Sequence, residues 1–285
     1  MKKVFIILCC VLALQSCNKD NTKNETINGF DINWTGDLGK KEKDAVRNMI
    51  ENMVKVEAGT FYMGAQKDSV EYYNYDEEAT SLEGPVHEVT VSEFYINRYE
   101  VTQLLWEAIM EETPNDEKDM QWEDEFGKGD NYPAYRISYN EVETFIGKLN
   151  EYTGLHFSLP TEAQWEYAAR GCKDTYYSLY AGGGDVLEVA WIDSNSDKCS
   201  EIGKKDANGL GLYDMSGNVW EMCNNWYYDY KDVCDTITSG EDYTGYKVFR
   251  GGSWNTNAQQ ARVTARYKQG IHYRDYNTGF RLVIE

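Results

Sequence analysis

The chain is poor in proline and histidine, with four and three in 285 residues, and it has no serine- or glycine-rich linker beyond residue 50. A chain of this length forms one large domain or two small ones. The missing linker argues for one, because boundaries fall in such stretches. Basic residues are also scarce: 28 Lys and Arg face 48 Asp and Glu, a formal charge of −20. That surface repels nucleic acid and anionic head groups, so nucleic acid is excluded as a partner, while divalent cations and basic partners suit it. No apolar run is long enough to cross a bilayer, which needs about 20 residues. What is abundant is Tyr, Gly and Trp, at 23, 24 and eight. These predict many loops packed by aromatic side chains onto modest sheets and disfavour long helical bundles.

The start of the chain says where the rest works. Lys2 and Lys3 precede the apolar run Val4 to Leu14, which closes on Leu14-Gln15-Ser16-Cys17. This is the pattern of an export signal over residues 1–16. The last four residues resemble the lipobox of bacterial lipoproteins, which implies cleavage before Cys17 and lipid on its thiol. The implied location is the cell envelope, periplasmic or surface-exposed, with acyl chains contributing about 0.8 kcal/mol per buried CH₂. Asn18 to Asn28 reads as a flexible tether without apolar periodicity, and residues 17–52 as tether and lead-in. Four cysteines then remain at 172, 199, 223 and 234. Outside the cytoplasm they allow three pairings; Cys223 and Cys234 are the easiest local pair, and free buried thiols are the other reading.

From residue 53 to 285 the pattern is that of one domain. Strand-like alternation runs from Val54 to Val56 into Gly59–Gly64, and again through Val86, Val89, Val91 and Phe94 to Ile96. Tyr72 to Gly84 reads as an acidic polar loop, and Pro114 to Asp130 as an exposed acid-rich insertion. Thr102 caps one predicted helix. A second begins at Asn140, with Val142, Phe145, Ile146 and Leu149 on one face. Thr161 with Gln164 forms a capping box for a third, short helix. Beyond residue 176 no helical period persists, and loop packing dominates up to terminal strands at Val248–Trp254 and Gly279–Ile284.

Six of these blocks, in order, carry a resemblance: Val56 to Gly64, Pro85 to Val89 with Tyr99 to Thr102, Leu159 to Gly171, Asn208 to Glu221, Arg250 to Trp254, and Gly279 to Arg281. Together they resemble the formylglycine-generating enzyme family, the sulfatase-modifying factor domain. The resemblance implies an α+β, elaborated C-type-lectin-like fold with small antiparallel sheets, two main helices and extensive irregular structure. It also implies that the chain ends pair, bringing Val54–Val56 near Leu282–Ile284.

Enzymes of that family oxidise a cysteine of a sulfatase with oxygen and copper held by two cysteines, since Cu(I) selects soft thiolates. The matching positions here are Thr256 and Ala261, so the resemblance implies no copper site and no catalytic residue. Related sulfoxide synthases hold iron with histidines, for which three in the whole chain give no site. The family's calcium loop does find matches in Asp214, Gly217, Val219 and Glu221, a hard oxygen set suited to Ca²⁺. The alternative is that Asp214 and Glu221 only bond backbone N–H groups and shape the loop. Arg250, Arg266 and Arg281 are expected to pair with buried acids such as Glu166. Trp254, Thr256, Ala261, Arg262, Tyr267, Tyr273, Arg274, Tyr276 and Asn277 would border the family's substrate groove. Relatives without the copper cysteines include lipoproteins of gliding motility and secretion machineries. The function implied is a membrane-anchored, non-catalytic module binding a protein or glycan partner in the envelope; the alternative is a divergent formylglycine-generating oxidoreductase.

Overall fold

A computed structural model describes residues 24–111, 121–172, 178–230 and 245–285. Cys17, the export signal and Cys234 lie outside the described residues. The first elements fall in the stretch read as tether and lead-in: a hairpin of β1 (Asn24–Ile27) and β2 (Phe30–Asn33), then helix α1 (Lys40–Glu51). The tether reading therefore fails from Asn24 onward. Helix α1 opens on Lys-Lys-Glu-Lys-Asp behind Gly39, which provides no side-chain cap, and it buries only the stripe Ala45, Val46, Met49 and Ile50. So narrow a stripe in a charged segment gives a weak helical signal.

Strand β3 (Met53–Val56) then leads to the hairpin β4 (Gly59–Met63) and β5 (His87–Val91), followed by β6 (Phe94–Asn97). Helices α2 (Gln103–Met110) and α3 (Tyr139–Thr153), strand β7 (Phe157–Ser158) and helix α4 (Glu162–Ala169) complete the first half. Thr102 caps α2 by accepting from Leu105 N, and Thr161 with Gln164 closes the expected capping box on α4. Helix α3 starts at Tyr139, with a second box formed by Ser138 and Glu141, and stops at left-handed Gly154. Beyond it come the single turn α5 (Val186–Val189), β8 (Trp220–Trp226), β9 (Tyr246–Arg250), β10 (Arg266–Gly270), β11 (Thr278–Gly279) and β12 (Val283–Ile284). The second half is thus strands and loops, as the glycine and aromatic content suggests.

Two four-stranded sheets organise the molecule, in the orders β3-β6-β12-β7 and β10-β9-β8-β11. The first is antiparallel throughout. In the second, β11 runs parallel to β8, while the other pairs are antiparallel. The chain ends do share a sheet, but β6 separates them: Ile96 is the register partner of both Val54 and Val283. Strand alternation sends Ile96 and Val283 into a core shared with α4, and Ile284 with Tyr95 into a core shared with α1, α2 and α3. In the latter, Trp106 lies parallel to Phe145 at 5.3 Å, with Phe280 edge-on to both. The acid-rich insertion is not wholly exposed, since Trp122 is buried and donates to Tyr135 O at 3.1 Å. Among the described residues no helix is long and apolar enough to cross a membrane.

Phe145 joins α3 to both α2 and the C-terminal segment, so its truncation leaves an unfilled space under three elements. Phe145→Ala is expected to lower unfolding free energy by about 3–5 kcal/mol, measured by urea titration followed through tryptophan fluorescence. A loss below about 1 kcal/mol would mean that the three-ring contact is not a structural junction.

Candidate functional site

The site grows from the turn Gly251-Gly252-Ser253 at the end of β9. Gly251 and Gly252 are left-handed, and a Cβ on Gly252 would meet Ala261 Cα and Gln260 O at 2.9 Å. Only glycine permits that approach, and it draws the 3₁₀ turn Ala258–Ala261 against the strand end. The Thr256 hydroxyl accepts from Ser253 N at 2.9 Å and donates to Ser253 O at 2.8 Å. Ala261 is fully buried with Tyr180, Val189, Ala190 and Ile192, and its carbonyl accepts from Ser216 Oγ at 2.7 Å. One position thus closes a turn with a hydroxyl, and the other contributes a methyl to an apolar cluster. Both side chains are buried.

Among the described residues the three free thiols are divided between two core clusters. Cys199 lies in the core around α2 and α3 and donates to Phe126 O at 2.8 Å, whereas Cys172 and Cys223 belong to the other core cluster. Burial pushes the Cys172 thiol up to about 11 and holds those of Cys199 and Cys223 well above the usual thiol range.

The loop from Asp214 to Glu221 docks onto the same turn. Gly217 N donates to Gly251 O, Asn218 N to Trp191 O, and Trp254 N to Asn218 O. A Cβ on Gly217 would lie 2.2 Å from Trp191 O, and Asp214 and Asn218 are themselves left-handed. Glu221 is held bidentately by Arg281, at 2.5 and 2.6 Å, and accepts from Trp165 Nε1 at 2.6 Å. Asp214 accepts from Gly203 N through Oδ2, while its buried Oδ1 has no hydrogen-bond partner among the described residues. Glu100, which sequence reasoning did not select although it lies in a matching block, accepts from Asn218 Nδ2 and Val219 N. Three buried acids therefore surround one guanidinium. Burial, and then the charges of Asp214 and Glu221, hold the Glu100 carboxyl well above the usual range; burial pushes Asp214 up to about 6.

The fit of this loop to a hard cation rests on the orphaned Asp214 oxygen, because Glu221 is already engaged by Arg281. Asp214 with the carbonyls of Gly217 and Val219 would hold the ion, and Glu221 would take part only by yielding some of its contact with Arg281.

The expected groove residues divide into two groups. Tyr267 stacks on Trp220 at 5.0 Å, and Tyr276 stacks on Phe126 at 4.5 Å with Trp254 5.6 Å away. Asn277 lies between these stacks: its carbonyl accepts from Trp220 N, and its Nδ2 donates to Asn255 Oδ1 at 2.9 Å. Tyr273 bonds Asp275, and Arg274 pairs with Glu141 at 2.8 Å. Asn255, Asp275 and Phe126 belong to this face but carry no sequence signal beyond their neighbours. Arg262 does not belong to it. It is buried and paired with Asp76 and Glu83, with Thr264 also donating to Glu83. Buried Arg262 and Ala261 therefore leave the groove list, since side chains enclosed on all sides line no surface.

Known proteins place these features in context. The sulfatase-modifying factor enzyme 1-like domain matches residues 39–285. The chain is 28% identical over 236 residues to the chaperone protein LppX of Paenibacillus barcinonensis, covering 68% of this chain and 81% of that protein. It is 26% identical over 306 residues to the formylglycine-generating enzyme of Thermomonospora curvata, covering 84% and 95%. Among solved structures it resembles PvdO from Pseudomonas aeruginosa, with a TM-score of 0.69 and 25% identity over 82% of this chain and 94% of that one. The fold is the elaborated C-type-lectin-like one.

An acid whose folded pKa is raised stabilises the fold least where it is ionised. Asp214 therefore subtracts stability as pH rises from the ordinary carboxylate range through about 6. Asp214→Asn is expected to remove that fall. In calcium-free buffer its thermal midpoint relative to the parent should rise between pH 4 and pH 7 (roughly the window bounded by the two pKa values). Parallel pH profiles would show that Asp214 does not titrate in the folded state.

Proposed function

The chain belongs to the sulfatase-modifying factor enzyme 1-like family, and from that premise we propose that it is a non-catalytic member, anchored to a bacterial membrane through lipid on Cys17. The face around Trp254, Tyr267, Tyr273, Tyr276 and Asn277 takes a protein or glycan partner in the cell envelope. The observation that carries this reading is the filling of both thiol positions. The Thr256 hydroxyl is bound into the Ser253 turn, and Ala261 is fully buried in an apolar cluster. Copper held by two thiolates would supply oxygen activation in the enzymes; here the corresponding residues close a turn and fill a core. Aromatic rings with fixed amides provide contact area at low entropic cost, as binding faces do. LppX, a similar protein over most of its length, is named a chaperone rather than an oxidase.

Calcium forms part of the proposal. A divalent ion beside Asp214 would offset the excess of acids around Arg281, and adding calcium to the pH series above should raise the midpoint of the parent but not that of Asp214→Asn.

Two experiments test the main reading. The full chain in non-ionic detergent, given copper and a Cys-x-Pro-x-Arg peptide, is expected to leave the peptide cysteine unoxidised by mass spectrometry. Conversion to the aldehyde would establish the oxidoreductase alternative. For the anchor, Cys17→Ser should move the protein from the membrane to the soluble fraction and abolish incorporation of labelled fatty acid; an unchanged distribution would exclude attachment through this thiol.

A further inference from the structure

Arg262 points away from the face just described and towards a different surface. Its guanidinium is buried against Asp76 and Glu83, and its Nη2 reaches Glu78 O at 3.3 Å, which is also the acceptor for Gln259 Nε2. These contacts fix the second half of the acidic loop between β4 and β5. Within it, Gln66 acts as a hub. Its Nε2 donates to Ser69 O and Tyr73 O, and its Oε1 accepts from Asp68 N and Ser69 N at 2.8 and 2.9 Å. Left-handed Asn74 donates to Tyr62 O and Gly64 O, tying the loop back to β4.

What this framework holds in place is exposed and apolar. Val70 is 72% exposed, Tyr72 57% and Tyr73 52%, and Leu82 of the same loop is 44% exposed. Only three other large hydrophobic residues among the described ones are exposed to a comparable degree, and they are scattered through the chain. Tyr73 stacks on Tyr62 at 3.7 Å with an angle of 12°, and Tyr72 meets Tyr73 edge-on at 5.5 Å. The rings are therefore pre-positioned, and a partner would meet little ordering cost. Tyrosine, with tryptophan and arginine, is among the side chains enriched as interface anchors.

The surroundings select the partner's charge. Asp68, Glu71, Glu77 and Glu78 are exposed along the same loop, whose one base is Lys67, and exposed Glu88 lies directly across from Tyr62 in the β4–β5 register. The acids repel an anionic or nucleic-acid ligand. The faces of the tyrosines attract a cation. We propose that the Val70, Tyr72 and Tyr73 surface docks a basic segment of a partner protein, its Lys or Arg side chains lying over the rings and against the acids and its apolar residues against Val70. This surface is distinct from the Trp254 face, so its occupation does not depend on what that face binds.

The test is fluorescence anisotropy with a labelled peptide of alternating arginine and leucine, using the full chain in non-ionic detergent at two salt concentrations. Tyr72→Ser combined with Tyr73→Ser leaves net charge unchanged and is expected to weaken binding at least about tenfold. Tyr246→Ser, which alters an exposed tyrosine elsewhere, should have no effect. Gln66→Ala, which releases the loop without altering its surface, should also weaken binding. Circular dichroism melts matching the parent exclude unfolding as the cause. Equal affinity of the double variant and the parent would reduce the interaction to general attraction by an acidic protein, and so would overturn the proposal. It would equally fail if the peptide did not bind, or if a matched peptide with glutamate for arginine bound as tightly.

Discussion

The pair between Glu221 and Arg281 is the contact on which the arrangement of the site depends. Glu221 comes from β8 and Arg281 from the segment between β11 and β12. The guanidinium also donates to the carbonyls of Asn97, Arg98 and Tyr213, while Trp165 of α4 donates to the carboxylate. One ion pair thus joins two sheets, a helix and the Asp214 loop. Burying two charges is costly unless geometry and extra hydrogen bonds compensate, and here every side of the guanidinium is used. Bidentate planarity is what makes arginine rather than lysine suitable.

The same solution recurs. Arg250 bridges Glu166 and Glu162, Arg266 grips Glu162 with two bonds, and Arg170 adds to Glu166. Burial alone would raise the Glu166 carboxyl, yet Arg170 and Arg250 hold it below the usual range. It therefore remains charged where a lone buried acid would be protonated. In a chain dominated by short strands and loops, these pairs perform the positional work that long helices do in other folds. Asp214 and Glu100 are the acids left over: they lie in the same interior without a guanidinium of their own, which explains why they are the ones driven upward.

How much of this was legible in the sequence follows from the range of each signal. Capping at Thr102 and Thr161 involves neighbours three residues apart, and the apolar face of α3 repeats every turn, so both are visible locally. The expected pairing of Arg250, Arg266 and Arg281 with acids also holds, because the blocks carrying them are fold-making. Helix α1 was hidden by its charged first turn and narrow buried stripe. Arg262 was misplaced for a different reason: its partners Asp76 and Glu83 are some 180 positions earlier, and nothing near Arg262 reveals them. The direct pairing of the chain ends was wrong by one strand, since alternation specifies which face a residue occupies but not which strand lies between. The aromatic face was partly readable from Trp254 to Asn277, whereas Phe126 reached it from a segment that composition alone marks as solvent-exposed.

The close approach at Gly252 has an evolutionary consequence. Because the backbone at Ala261 lies against that glycine while its methyl fills an apolar cluster, a sulfur atom at this position would have to displace side chains already in contact. Small-to-large changes in such an environment typically cost about 1–3 kcal/mol. A cysteine at this position would therefore press its sulfur into the apolar cluster of Tyr180, Val189, Ala190 and Ile192. Residues 252 and 261 are thus coupled in what they can become, since added size on either side of this contact is felt on the other.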